Sequence, residues 1–253
     1  MTSVTTGLIV ILVAASVGAL AHQTRMRLFP GNKTEEEKEH DISEYVTMMV
    51  GVFYALIVGL ALVSVWENRD NAEQRAQTEA SSLQEVYQLA DSLPAPTREK
   101  IQADATTYAG YVVRAEWPLM DQQKPLGEKG WTLLDDLRLD VTSYTPTTSA
   151  QNNVASDAVG QLSTLADARR GREAAATDRM PDLLWVGLIL GGVLTVALTF
   201  VFGMKQHISH VAMLMGLTAL IGFMMILIFN LDNPFNQGLG ASSSAFTDLF
   251  PSA

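Results

Sequence analysis

The sequence predicts an all-α polytopic membrane protein with four transmembrane helices and a helical cytoplasmic domain. Three observations predict it. Four windows, Met1 to Thr24, Tyr45 to Trp66, Leu183 to Met204 and His210 to Leu231, contain no Asp, Glu, Lys or Arg. Each is at least about 22 residues long, roughly 33 Å as a helix, enough to cross a hydrocarbon core about 30 Å thick. Between the second and third windows, residues 67–182 form a polar segment with no comparable apolar run. Apolar residues within that segment recur at three- and four-residue spacing, the period of a helix rather than the alternation of a strand. The chain therefore divides into spans one and two with a charged outer loop (1–66), a helical bundle (67–182), spans three and four (183–231) and a C-terminal tail (232–253).

Averages conceal this division. The 253 residues are 48% hydrophobic with a formal charge of -10, and the mean hydropathy is only +0.15. The acidic balance disfavours nucleic acid as a partner, because phosphate binding needs concentrated Lys and Arg. The absence of cysteine removes disulfides, thiolate metal sites and cysteine nucleophiles together.

Taken in order, the first window predicts a retained span. Its rival is a cleaved signal peptide, because Ala19-Leu20-Ala21 follows an apolar run, but the n-region carries no Lys or Arg. The connection from Arg25 to Glu44, with the run Lys33 to Glu39, reads as a solvated cap. Span two meets no turn signal after Trp66. Ala72, Ala76, Leu83, Val86 and Ala90 continue its period, so one long helix should run to Leu93-Pro94-Ala95-Pro96, where prolines stop it. A second helix should start with Thr97 as N-cap, carry Ile101, Ala105, Tyr108, Val112 and Ala115 on one stripe, and end at Trp117-Pro118. Asp121 to Gly130 reads as a loop. Trp131, Leu134, Leu137 and Leu139 predict a shorter helix, followed by the Ser/Thr-rich stretch Thr142 to Ser149. A fourth carries Val154, Ala158, Leu162, Leu165 and Ala168 and leads to Pro181, which opens span three where its missing N–H costs least. Each stripe is narrow, so burying them is expected to draw on other subunits.

Two spans, a helical segment and two more spans resemble the bestrophin family of anion channels. Gly51-Val52-Phe53-Tyr54-Ala55-Leu56-Ile57-Val58 followed by Trp66-Glu67-Asn68-Arg69 is similar to that family's second span, although Trp66 lies further along than its counterpart. The span-four exit Asp232-Asn233-Pro234-Phe235 resembles the Asn-Pro-Phe sequence of bestrophins. A closer resemblance is to the bacterial bestrophin-like family, through Glu116-Trp117-Pro118, Ala166-Asp167-Ala168-Arg169-Arg170, the proline before span three and the Asp-x-Pro-Phe exit. The resemblance covers nearly the whole chain. It implies a homopentamer in the cell inner (plasma) membrane, with both termini and the central domain cytoplasmic, and a central pore lined by span two. Positive charge alone orients the chain weakly, since Arg25, Arg27, Lys33, Lys38 and Lys205 nearly balance the arginines on the other side. Calcium-gated bestrophins follow Asn-Pro-Phe with acidic residues. Here Asn236-Gln237-Gly238-Leu239-Gly240 stands in that place, so a carboxylate clasp for calcium is not expected.

Tyr45, Met49 and Phe53 fall at i, i+4 and i+8 on span two, hence on one face. Repeated around an axis they would form a hydrophobic neck that gates by dewetting. Met48, Val52 and Leu56 make an equally apolar alternative face, and packing between spans explains either. Arg69, Arg75, Arg169, Arg170, Arg172 and Arg179 cluster near spans two and three. They would form an electropositive vestibule for small anions such as chloride, or else snorkel to headgroups and pair with Glu67, Asp70, Glu73 and Glu79. No ionisable residue lies inside the spans, which disfavours a proton-coupled pump. His207 and His210 lack a third ligand, so no metal or other cofactor is expected. Neither a nucleophile elbow, a phosphate loop nor a zinc-protease motif occurs, and Glu116-Trp117 reads as helix termination. The expected function is passive anion conduction by an oligomer in the lipid bilayer. The alternative is a non-conducting membrane scaffold whose helical domain binds a protein partner.

Overall fold

The computed structural model describes residues 36–202 and 208–251, and every regular element among them is helical. The long helix α1 runs Glu36–Leu89 without interruption and closes in a short 3-10 turn, Ala90–Ser92. Its 54 residues are more than twice what a bilayer requires, about 20. The uncharged window supplies the apolar part, while Ala72, Ala76, Ala80, Leu83 and Val86 supply a buried stripe beyond it. Among the described residues three helices are long and apolar enough to cross a membrane: α1, α6 (Asp182–Phe202) and α7 (Ile208–Leu231). The predicted first span, Met1 to Thr24, lies outside the described residues, as does His207.

The chain separates into two compact units. The first takes α1 up to Val65 together with α6 and α7. Inside it Tyr54 is buried, its hydroxyl 4.0 Å from Met225 Sδ and its ring lying over Gly191 and Gly192. A Cβ on Gly191 would stand 2.7 Å from Tyr54 Cδ2, so glycine is required where these helices approach. Trp185 and Phe229 meet edge to face at 6.0 Å between α6 and α7.

The second unit holds the rest of α1 with α2 (Ala95–Tyr111), α3 (Trp117–Asp121), α4 (Lys129–Ser143), α5 (Ser149–Thr177) and α8 (Ser244–Leu249). Each amphipathic stripe is buried within one chain: Ile101, Ala105 and Tyr108 of α2 with Val112 just beyond it, Leu134 and Leu137 of α4, and Leu162 and Leu165 of α5 share one core. The expectation that other subunits would cover these stripes is thus corrected. The partners are the neighbouring helices and the tail, whose Phe246 and Phe250 complete the core. Leu139 alone among the predicted α4 positions stays exposed.

Three boundaries differ from the sequence expectation. α2 begins at Ala95 with Pro94 as its cap, not at Thr97, because the first helical positions tolerate proline and Pro96 fits within the first turn. The helix does not end at Trp117-Pro118. Val112–Glu116 form a single π turn, and Pro118 sits at the start of α3, where no intrahelical N–H is needed. Glu116, four residues after Val112, is buried on the same inward face. Finally, α1 is already helical from Glu36, inside the connection read as a cap.

Candidate functional site

The centre of the second unit is ionic. Arg169 and Arg172, three apart on α5, are fully buried, as are Glu79 of α1 and Glu116 of the π turn. Arg172 holds Glu79 with Nε 2.6 Å from Oε2 and Nη2 3.0 Å from Oε1, and its Nη2 also reaches Glu116 Oε2 at 2.8 Å. Arg169 forks onto Glu116 at 2.6 and 3.1 Å and donates to Tyr108 Oη at 3.1 Å. Tyr108 donates in turn to Glu79 at 2.6 Å. Two guanidinium groups thus meet two carboxylates and a phenol, with charges balanced.

Such a group is stable only as a set. Desolvation opposes the ionised forms of Glu116, Arg169 and Arg172, and for these three the partners outweigh it. Burial alone would raise the Glu116 carboxyl, but hydrogen bonds and charge from Arg169 and Arg172 hold it below the ordinary range. Burial would likewise lower both arginines, yet Glu116 lifts Arg169 and Glu79 lifts Arg172. The Tyr108 phenol is pushed well up by burial and by the charge of Glu79. Aromatic faces enclose the cations: Trp131 lies 5.1 Å from the Arg169 guanidinium and Trp117 lies 5.9 Å from that of Arg172. Gly130 completes the cradle, since a Cβ there would collide with Arg169 and Glu116. Glu173, partly exposed, joins the group to the surface by pairing with Arg169 at 2.8 Å and accepting from Trp131 Nε1 at 3.1 Å.

Arg169 and Arg172 were candidates for a water-facing vestibule in one reading and for pairing with carboxylates such as Glu79 in the other; both are buried, and α5 turns them inward onto Glu79 and Glu116. Arg69 is engaged with Glu73 at 2.6 Å, with Asp70 at 2.9 Å and with the Leu239 carbonyl at 3.1 Å. Arg170 pairs with Asp167 on the surface and lies over Trp131. Arg75 lies across Gly171, and Arg179 is exposed beside a surface hollow that includes Lys124 and Trp131.

Glu116, read from sequence as marking helix termination, is instead the shared counter-ion of both arginines. The signal was present in the two separated elements Glu116-Trp117-Pro118 and Ala166 to Arg170, but nothing in one sequence states that they touch. The exit sequence joins them. Asn233 Nδ2 donates to the Asp121 carbonyl at 3.0 Å, and the Asn233 side chain accepts from Phe235 N at 3.3 Å. Phe235 is buried edge-on against Trp117 at 5.4 Å. Gln237 donates its backbone and side-chain N–H to the Asp121 carboxylate at 3.2 and 3.0 Å, and Gly238 takes a φ of +137° that favours glycine. Asp232 is half-buried at the head of this turn and Pro234 is buried within it. Among the described residues no group of three or more His, Cys, Asp or Glu is placed to hold a metal ion.

In the first unit, Tyr45, Met49 and Phe53 are all exposed in the single chain, at 62–66%. Met48 and Val52 are exposed too, but they line an apolar groove of about 640 Å³ with Thr195 of α6 and Leu220 and Ile221 of α7. Leu56, the third residue of that alternative face, is exposed outside the groove, so only Met48 and Val52 separate from the Tyr45, Met49 and Phe53 stripe in this way.

A model of the bestrophin-like domain matches residues 10–246. The fold is similar to that of a bacterial bestrophin homolog from Klebsiella pneumoniae, crystallised as a leucine-to-threonine variant, with TM-score 0.71 and 15% identity, covering 96% of this chain and 98% of that one. A tryptophan-to-alanine variant of the homolog gives TM-score 0.68 at 14% identity over 100% and 99% of the two chains. A crystal structure described as a membrane protein, a proline-to-alanine variant, gives 0.68 at 15% identity over 97% and 98%. A search of curated proteins finds no match. With a family model spanning most of its length and its fold shared from end to end, this chain belongs to the bestrophin-like family.

Proposed function

We propose that the chain is one subunit of an oligomeric ion channel, a homopentamer by family resemblance, that conducts passively through a central pore lined by α1. The observation carrying this reading is the apolar face Tyr45, Met49 and Phe53, exposed and turned away from the groove that α6 and α7 line. Copies of that face around an axis would make a dewetting neck, with the termini and the polar unit cytoplasmic. Chloride is the ion that the resemblance to anion channels implies. The charges favour testing sodium beside it: of the six arginine candidates two are buried and Arg69 and Arg170 are paired, whereas Glu67 and Glu85 are exposed on α1 with no ion pair among the described residues.

The test is flux of chloride and of sodium from liposomes holding the purified chain. Release above empty vesicles is expected, with Phe53→Ala raising it several-fold by widening the neck. No flux of either ion under any gating condition, or a monomeric particle, would leave the scaffold as the better reading.

A further inference from the structure

A second ionic contact lies away from the arginine cluster, where α2 packs on α4. Lys100 and Asp104 stand one turn apart on α2 and therefore share a face. Opposite them is Asp140 of α4, whose side chain is only 7% exposed. Lys100 Nζ, itself largely exposed, hydrogen-bonds Asp140 Oδ1. The other oxygen, Oδ2, is buried without a donor. A buried carboxylate oxygen lacking a donor is costly, and the half-buried Asp104 carboxyl beside it offers none while ionised. One added proton removes the conflict, since a protonated carboxyl can donate to its neighbour.

We propose that Asp104 and Asp140 share one proton across the α2–α4 contact, so that mild acidification tightens this joint and a rise in pH loosens it. The charged groups facing the pair are Lys100 from α2 and Asp136 from α4. The proton resides on Asp104, which burial and the neighbouring Asp140 push up to about 6. Burial would also raise Asp140, but hydrogen bonds from Asp104 and Lys100 hold it below the ordinary carboxylate range. The pair thus behaves as one site with a single proton. Because Asp104 titrates higher folded than unfolded, the folded chain binds more protons between about pH 4 and 6, and stability falls as pH rises through that window. Asp140 has the opposite sign, but its effect lies below about pH 4.

The experiment is thermal unfolding of the full-length protein in detergent from pH 4.5 to 8, comparing wild type with Asp104→Asn, which supplies the donor permanently. The wild type is expected to lose up to tenfold in its folding equilibrium per pH unit between about 4.5 and 6 relative to the variant. At pH 7.5 Asp104→Asn should be at least as stable as wild type. Lys100→Gln, which removes a charge that opposes protonation, should shift the wild-type transition to higher pH, and the exposed control Asp135→Asn should leave it unchanged. Infrared spectra supply a readout independent of stability: a protonated-carboxyl band in the wild-type minus Asp104→Asn difference at pH 5. Parallel pH profiles for wild type and Asp104→Asn, or no such band, would overturn the proposal.

Discussion

At the scale of single residues, Arg172 and Arg169 illustrate how much a buried charge depends on its partners. Each is compensated by carboxylates contributed from other helices, so truncating one member strands the rest in a dry interior. Arg172→Met is expected to cost about 3–5 kcal/mol, since it leaves Glu79 and part of Glu116 uncompensated. For a chain of this size that is a drop of roughly 6–20 °C in melting temperature, readable by thermal unfolding in detergent. Replacing Glu79 as well, as Glu79→Gln with Arg172→Met, should cost less than the sum of the two single changes. Additive losses would show that the pair is not coupled. In the proposed Asp104–Asp140 pair the same logic has the opposite sign: Lys100 alone faces two carboxyls, and one of them takes a proton.

At the scale of elements, what matters is how closely two backbones or rings can approach. Gly191→Ala places a methyl inside the Tyr54 ring and should destabilise the first unit by about 1–3 kcal/mol through overpacking. Combining it with Tyr54→Leu should recover part of that loss, and a melting curve of the three variants decides. The exit turn poses a different problem. Phe235 packs on Trp117, and Phe246 of α8 lies 6.3 Å from the same ring, so the tail is anchored by one tryptophan. Trp117→Ala should cost about 3–5 kcal/mol and make residues after Leu231 sensitive to limited proteolysis. An intact, protected tail in that variant would mean that Asn233 and Gln237 hold it without the aromatic contact.

At the scale of the whole molecule, the family fold and the charge distribution suggest how conduction would be tuned. Two of the six candidate arginines, Arg169 and Arg172, are buried in ion pairs, so in the proposed channel the sign of the permeating ion would rest on the exposed charges that remain. Glu85→Gln should then change the ratio of sodium to chloride flux without changing total stability, because Glu85 is exposed and unpaired among the described residues. A flux ratio insensitive to this change would place selectivity at the neck instead.

Three of the four expected apolar helices and the helical period were legible in the sequence because both are local: hydrocarbon rejects charge residue by residue, and a helix repeats its buried face every three or four positions. The long reach of α1 followed from the lack of any breaker between Trp66 and Leu93. The fork of Arg169 and Arg172 onto Glu116 and Glu79 was not legible, because a buried arginine and a surface arginine are the same letter. Only packing at separations of 53 and 93 residues distinguishes them. The role of Glu116 in the π turn Val112–Glu116 was hidden for a related reason: its ion pairs exist only once that turn and α5 have come together.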